Sequence, residues 1–279
     1  MARHDEGFFT AKDHLRLFWT LDLPDTPPRA HVAVAHGYAD HIGRYRPVID
    51  ALVADGFAVH GFDYRGHGRA DGRRGFCDKW PDYLDDMALF WERVRKAAGG
   101  QKAFLLGHSH GGLMAARLAE KGGLEGAAGL VLSAPYLKLA IVPPTAKLMA
   151  AKLAGKVIPW LPIPNELKPE HLSRDPAIVK ATSEDPLYIR TVTPRWFIES
   201  TQAQTEALAE AVRVTAPIFI FCGSHDGVAA PAAARSFFET VGSSDKKFKE
   251  YPGMLHEPLN EVGREEVFRD ISGWISAHL

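Results

Sequence analysis

Only two cysteines, Cys77 and Cys222, occur among the 279 residues. That is too few for a disulfide framework of the kind that staples small secreted domains, and no Cys/His set has zinc-site spacing. Two reduced thiols in a cytosolic protein fit this count best. No segment reaches the roughly 18 apolar residues that a membrane-spanning helix needs. The opening stretch MARHDEGFFTAKDHLRLFW carries acids early and no apolar centre, which argues against a secretory signal. A dominant charge is missing too. The formal net charge is −1 and the basic residues are scattered, so no electrostatic footprint for nucleic acid exists. Repeats and low-complexity tracts are likewise absent. What remains is globular composition, 46% hydrophobic and 24% charged, in a chain long enough for one large domain. The expected location is cytoplasmic, with peripheral contact at a membrane surface left open.

Short apolar runs alternate with helical patterns. HVAVAHG (31–37), AVHGFDY (58–64), KAFLLGH (102–108), GLVLSAP (129–135) and PIFIFCGS (217–224) are short, continuous and punctuated by Gly or Pro, which predicts buried strands. Between them, Tyr83, Met87, Phe90, Trp91 and Val94 share one helical face, as do Val267, Phe268, Ile271, Trp274 and Ile275. Such alternation builds an α/β domain, a mostly parallel sheet flanked by helices. GFFTAKDHLRLFWTLDLP predicts an antiparallel hairpin at the sheet edge. The alternation breaks from 136 to 196, where prolines cluster and no strand pattern occurs. A segment this long is not an ordinary loop. It reads as a helical cap inserted between a first core part, 1–135, and a second, 197–279.

Within FLLGHSHGG, Gly107, Ser109 and Gly111 fit G-x-S-x-G, with a buried strand before and an Ala/Leu-rich helix after. The chain must reverse so sharply at the serine that side chains two residues away would collide, hence the glycines. The serine oxygen then projects at a helix N-terminus, where developing negative charge is favoured. Ser109 is therefore the candidate nucleophile; the bland alternative is a helix N-cap. His108 and His110 lie too near in sequence to serve as its base. A serine hydroxyl needs a general base, and the base needs an orienting group. In the strand–turn–helix setting the order is serine, acid, histidine. Asp226 follows the strand PIFIFCGS, and His256 follows KKFKEYPG and precedes the last helix. Asp226 could instead be only a turn former, and any one of thirteen histidines is more often structural. The ordered constellation, not either residue alone, carries the assignment. The oxyanion hole should come from the backbone N–H of His110 and that of Tyr38, just after Gly37. His36, His41, His60 and His67 lie near strand ends but lack metal-site spacing, and YRGHGRADG lacks dinucleotide spacing. No metal and no cofactor are expected.

The segments HGYADHIGRY, FDYRGHGRADG, GHSHGG, DPLYIRTVTPRWF, GSHDGV and LHEPLNE resemble the α/β-hydrolases of the monoacylglycerol lipase and lysophospholipase group, the serine aminopeptidase S33-like or hydrolase-4 family. They run from near residue 36 to near 261. The resemblance implies the α/β-hydrolase fold, a triad of Ser109, Asp226 and His256, and an oxyanion hole from the Tyr38 and His110 amides. It also implies a lipid ester substrate with one acyl chain, such as a monoacylglycerol. Relatives often carry a small residue where Tyr38 stands and methionine where His110 stands, so the pocket beside the serine is expected to differ. Lysophospholipase, general carboxylesterase or thioesterase activity are alternatives on the same triad. A peptidase, a carbon–carbon bond hydrolase or a cofactor-free peroxidase could share the scaffold. A non-catalytic ligand receptor is the alternative of another class. In the cap, Met149, Leu153 and Val157 share a helical face, followed by Trp160, Leu161 and Ile163. Most of these side chains are expected to pack against the sheet domain, leaving an apolar entrance that can touch a membrane or micelle transiently. The oligomeric state is not legible.

Overall fold

The computed structural model describes residues 3–141, 144–165 and 167–279, with the side chain of Lys147 outside the description. Strands β1 (Arg3–Thr10) and β2 (Arg16–Leu23) form the expected antiparallel hairpin at one edge. The sheet continues through β3 (His31–Ala35), β4 (Ala58–Asp63), β5 (Ala103–His108) and β6 (Ala127–Ser133). Helices α1 (Arg46–Ala54), α2 (Trp80–Ala98) and α3 (His110–Glu120) connect them. Between β6 and the next long strand lie α4 (Thr145–Val157), a two-residue strand β7 (Ile163–Pro164), α5 (Pro176–Glu184), its partner β8 (Thr191–Val192) and α6 (Pro194–Glu210). Then come β9 (Ile218–Gly223), α7 (Pro231–Thr240), β10 (Lys246–Tyr251) and α8 (Arg264–Ala277). The eight long strands run β1-β2-β4-β3-β5-β6-β9-β10, all parallel from β4 onward.

Strand alternation divides the core in two. Side chains at successive positions point to opposite faces. Val32, Val34, Phe104, Leu106, Val131, Phe219 and Phe221 therefore meet α1 and α8, through Ile49, Leu52, Ile271 and Ile275. Ala33, Ala35, Leu105, Leu130, Leu132, Ile218 and Ile220 face α2, α3, α6 and α7 on the other side. Burying each large aliphatic or aromatic side chain contributes about 1.5–3 kcal/mol, which is why these strands read as continuous apolar runs.

The segment between β6 and β9 departs from expectation in three ways. It contains a small antiparallel pair, Ile163 with Val192 and Pro164 with Thr191, too short to show any periodicity in sequence. The helix suggested by TQAQTEALAEAV begins earlier, at Pro194, so the boundary drawn at 196/197 falls inside its first turn. The apolar side chains of α4 also differ from expectation. Met149, Leu153 and Val157 are each 66% exposed, and Ile158, Trp160, Leu161 and Ile163 lie at the surface with them. Most do not pack on the sheet domain, because α4 uses its opposite face, around Gly155, to sit on Ile198 of α6. Cys77 and Cys222 are both buried and unpaired. Among the described residues, no helix is long and apolar enough to cross a membrane.

Many histidines sit inside. His31 Nδ1 and His60 Nε2 are 2.8 Å apart, a bond with room for one proton only, so both rings cannot be charged without losing it. Burial lowers the pKa of His31, His36, His67 and His110, takes His60 to about 3 and His108 to about 4. These groups are neutral in the folded chain and bind protons more readily once unfolded. Their contribution to stability is complete above pH 6.5 and is lost as pH falls from 6.5 towards the folded values. The urea unfolding midpoint should therefore fall progressively as pH is lowered from 6.5 to 5. A midpoint unchanged over that interval would contradict it.

Candidate active site

The carboxyl ends of β3, β5, β9 and β10 open onto one rim, where ligands of open α/β sheets bind. Ser109 stands at the end of β5 with φ 52° and ψ −114°, a left-handed conformation that costs a non-glycine residue about 1–3 kcal/mol. The crossing of strand and helix explains why the flanking positions are glycine. A Cβ on Gly107 would lie 2.6 Å from the Gly111 carbonyl oxygen, and one on Gly111 would collide with the carbonyls of Ala35, the last residue of β3, and of His36 just after it. The Ser109 side chain makes no capping hydrogen bond to α3. Its hydroxyl is committed elsewhere.

That commitment is to His256, whose Nε2 lies 2.9 Å from Ser109 Oγ. The His256 Nδ1–H donates to Asp226 Oδ2 at 2.8 Å. An ionised carboxylate only accepts, which fixes the proton on Nδ1 and leaves Nε2 free to receive the serine proton. The other carboxylate oxygen, Asp226 Oδ1, accepts from the amides of Val228 (2.8 Å) and Ala229 (2.9 Å), so the turn after β9 holds it in place. All three residues are buried. Burial would lower the His256 pKa, but the charge and hydrogen bond of Asp226, aided by Glu257 and Asp40, outweigh it and carry the value above 6.5. A neutral imidazole so placed can take the proton of an attacking hydroxyl, and the adjacent carboxylate would stabilise the imidazolium that forms. His225, next to Asp226, is exposed.

Tyr38 and His110 flank the same serine. Gly37 is close enough that a Cβ added to it would lie 3.4 Å from Ser109 Cβ. Its N–H donates to Tyr45 Oη (3.0 Å), and its carbonyl accepts from Tyr64 Oη (2.6 Å) and His36 Nδ1 (2.8 Å). The trans peptide that follows therefore turns the Tyr38 N–H away from those anchors. Among the described residues, neither the Tyr38 N–H nor the His110 N–H has an acceptor. Two amides without partners beside a buried hydroxyl can hold a developing oxyanion.

Sequence reasoning left one cluster unassigned. Arg44, itself buried, donates to Asp40 Oδ1 (2.9 Å), to both oxygens of Glu257 (3.1 and 2.9 Å) and to Thr182 Oγ1 (2.7 Å). Burial would lower the guanidinium pKa, yet Asp40 and Glu257 raise it overall, and Arg44 in turn holds the Asp40 carboxyl below its usual range despite burial. The Asp40–Arg44 spacing of four was the available signal; Glu257 and Thr182 lie too far along the chain to be paired by eye. The histidines near strand ends separate into different environments. His36 bonds to the Gly37 carbonyl, His41 to Asp185 (2.8 Å), His60 to His31, and His67 to the Arg65 carbonyl (3.0 Å). His108 bonds to Ser133 Oγ at 3.1 Å.

With this geometry in view, known proteins give a consistent comparison. The family model described as Hydrolase_4, serine aminopeptidase S33, matches residues 26–263. The chain is 32% identical over 279 residues to a monoacylglycerol lipase of Mycolicibacterium smegmatis, covering 100% of this chain and 99% of that one. It is 31% identical over 269 residues to human monoglyceride lipase, covering 93% and 86% respectively. A solved monoacylglycerol lipase from Paleococcus ferrophilus superposes with a TM-score of 0.82 at 30% identity, over 100% of both chains.

The elevated imidazole pKa has a direct check. In a nuclear magnetic resonance titration, the His256 ring should change protonation with a midpoint above 6.5. In Asp226→Asn the midpoint should fall, because the strongest opposition to burial is removed and only the more distant Glu257 and Asp40 remain. A midpoint unaffected by the substitution would mean that another charge holds it.

Proposed function

The chain belongs to the serine aminopeptidase S33 family of α/β-hydrolases, and from that premise we propose that it hydrolyses a monoacylglycerol, releasing the fatty acid through an acyl-enzyme on Ser109. The observation that carries this reading is the unbroken hydrogen-bonded line from Ser109 Oγ through His256 to Asp226. In the first half-reaction Ser109 Oγ attacks the ester carbonyl while His256 Nε2 takes its proton. Asp226 holds the tautomer and stabilises the imidazolium. The carbonyl oxygen, now negative, is received by the Tyr38 and His110 amides. The imidazolium returns its proton to the departing glycerol oxygen. A water molecule then attacks the acyl-enzyme, again with His256 as base, and Ser109 is regenerated. The single-chain substrate is supported by the likeness to the monoacylglycerol lipases of Mycolicibacterium smegmatis and Paleococcus ferrophilus and to human monoglyceride lipase.

In this reading residues 136–196 form the cap above the site, and α4 is its lipid-facing part. Met149, Leu153 and Val157 recur every four residues and so line one exposed stripe. Ile158, Trp160, Leu161 and Ile163 extend it, with Lys152 and Lys156 exposed beside it. An apolar stripe rimmed by cations fits the boundary of an anionic lipid surface, to which it would dock transiently.

Ser109→Ala should abolish monoacylglycerol hydrolysis and labelling by a fluorophosphonate while the melting temperature is kept; turnover surviving in that variant would end the proposal. Across a panel of monoacylglycerols and a lysophospholipid, kcat/KM should be highest for a monoacylglycerol, and a preference for the lysophospholipid would reassign the head group. Leu153→Glu combined with Val157→Glu should weaken binding to anionic vesicles by about ten-fold or more, given that each charged group must be kept from the apolar boundary. Vesicle binding equal to the parent would remove α4 from the docking surface.

A further inference from the structure

The two amides assigned to the oxyanion hole come from separate stretches of chain, the turn after β3 and the start of α3. Their side chains converge on one residue, Trp196, in the first turn of α6. The indole ring of Trp196 is stacked on the Tyr38 ring, with centroids 3.7 Å apart and planes inclined by 28°. Its Nε1–H donates to His110 Nε2 at 3.2 Å. An indole nitrogen can only donate, so His110 must present an unprotonated Nε2 and carry its proton on Nδ1. Burial keeps that ring neutral, as the bond requires. Trp196 is itself held: it is 5% exposed, and its ring also runs nearly parallel to that of Tyr136, with centroids 6.0 Å apart. The Tyr38 ring is fixed at its far end as well, where its hydroxyl donates to the Gly75 carbonyl at 2.9 Å.

We propose that Trp196 is a positioning residue for the oxyanion hole, setting the separation of the Tyr38 and His110 amides by gripping both side chains at once. The inference rests on the functional reading above, since it takes those two amides as the working donors. The physical reason is geometric. Each backbone N–H is rigidly joined to its own Cα, so a side chain gripped a few ångströms away limits how far the amide can swing. A donor is useful only within about 2.7–3.1 Å of the oxygen it stabilises, and losing one altogether costs roughly 10²–10³ in rate. Loosening two without removing either should cost less, on the order of ten-fold. The cost should fall on kcat, because the developing oxyanion and not the ground-state carbonyl is what the amides favour.

The test uses Trp196→Phe, which keeps an aromatic ring against Tyr38 and deletes the N–H, and His110→Met, which deletes the acceptor and keeps the backbone amide. Each should lower kcat on a soluble monoacylglycerol by about ten-fold with KM changed less than two-fold. The double variant should be no slower than the slower single, because both remove one bond. Trp196→Phe within two-fold of the parent in kcat would overturn the inference. So would single effects that multiply in the double variant, or a loss confined to KM. Should Trp196→Phe fail to fold, His110→Met decides by the same kcat and KM criterion. Ser109→Ala separates the two levels. If it loses all turnover while Trp196→Phe matches the parent, the positioning role falls and the triad stands; if Ser109→Ala remains active, the triad reading itself falls.

Discussion

The rest of the molecule depends on the reversal of the chain at Ser109. A strand from the middle of the sheet becomes a helix within one residue, and that residue carries a positive φ without being glycine. The strain is tolerable only because β5 and α3 are each anchored over their length by buried apolar contacts. The same reversal leaves no room for a Cβ at positions 107 and 111, where carbonyl groups of the helix and of β3 approach. Everything that surrounds the serine is built outward from this point. The imidazole arrives from the loop after β10, the carboxylate from the turn after β9, and the free amides from the turn after β3 and the first residue of α3.

Charge in this rim is stabilised by pairing, against the cost of enclosure. Isolated, a buried guanidinium or carboxylate would be costly by several kcal/mol. Arg44 avoids that cost by meeting Asp40 and Glu257 together, and the arrangement links three segments that are distant in sequence. Glu257 adjoins His256, so the cluster also adds negative potential near the imidazole. At His36, His67 and His110 the balance is the opposite: burial outweighs every neighbouring charge and keeps the ring neutral, even with Asp63 3.6 Å from His36. One chemistry, the imidazole ring, is thus held neutral by burial at several interior sites, while at His256 the Asp226 carboxylate on Nδ1 raises the pKa instead.

Much of this was legible in the residues. The five central strands announced themselves because their apolar runs are continuous and punctuated by Gly or Pro, and the observed limits lie within two positions of the expected ones. Ser109, Asp226 and His256 could be named because chain order and flanking strands constrain them jointly, and they stand in hydrogen-bonded succession. Other features left no trace a single sequence can show. The β7–β8 pair is too short for a period to emerge. The outward direction of Met149, Leu153 and Val157 depends on which face of α4 meets α6, and both faces carry apolar residues. The meeting of Tyr38, His110 and Trp196 joins three positions whose proximity only the folded chain creates.

The segment between β6 and β9 is attached unevenly. Its later part is laced to the core: Ser173 Oγ donates to the Asn260 carbonyl, Arg264 to Asp175, the Glu257 amide to the Leu172 carbonyl and the Ile189 amide to the Ala39 carbonyl. Its earlier part, α4, leans mainly on α6. Exchange of α4 would therefore alter the apolar surface it exposes while the lacing, and with it the loop that bears His256, stayed as it is. Variation confined to a single helix over an unchanged rim is an evolutionary route that this asymmetry leaves open.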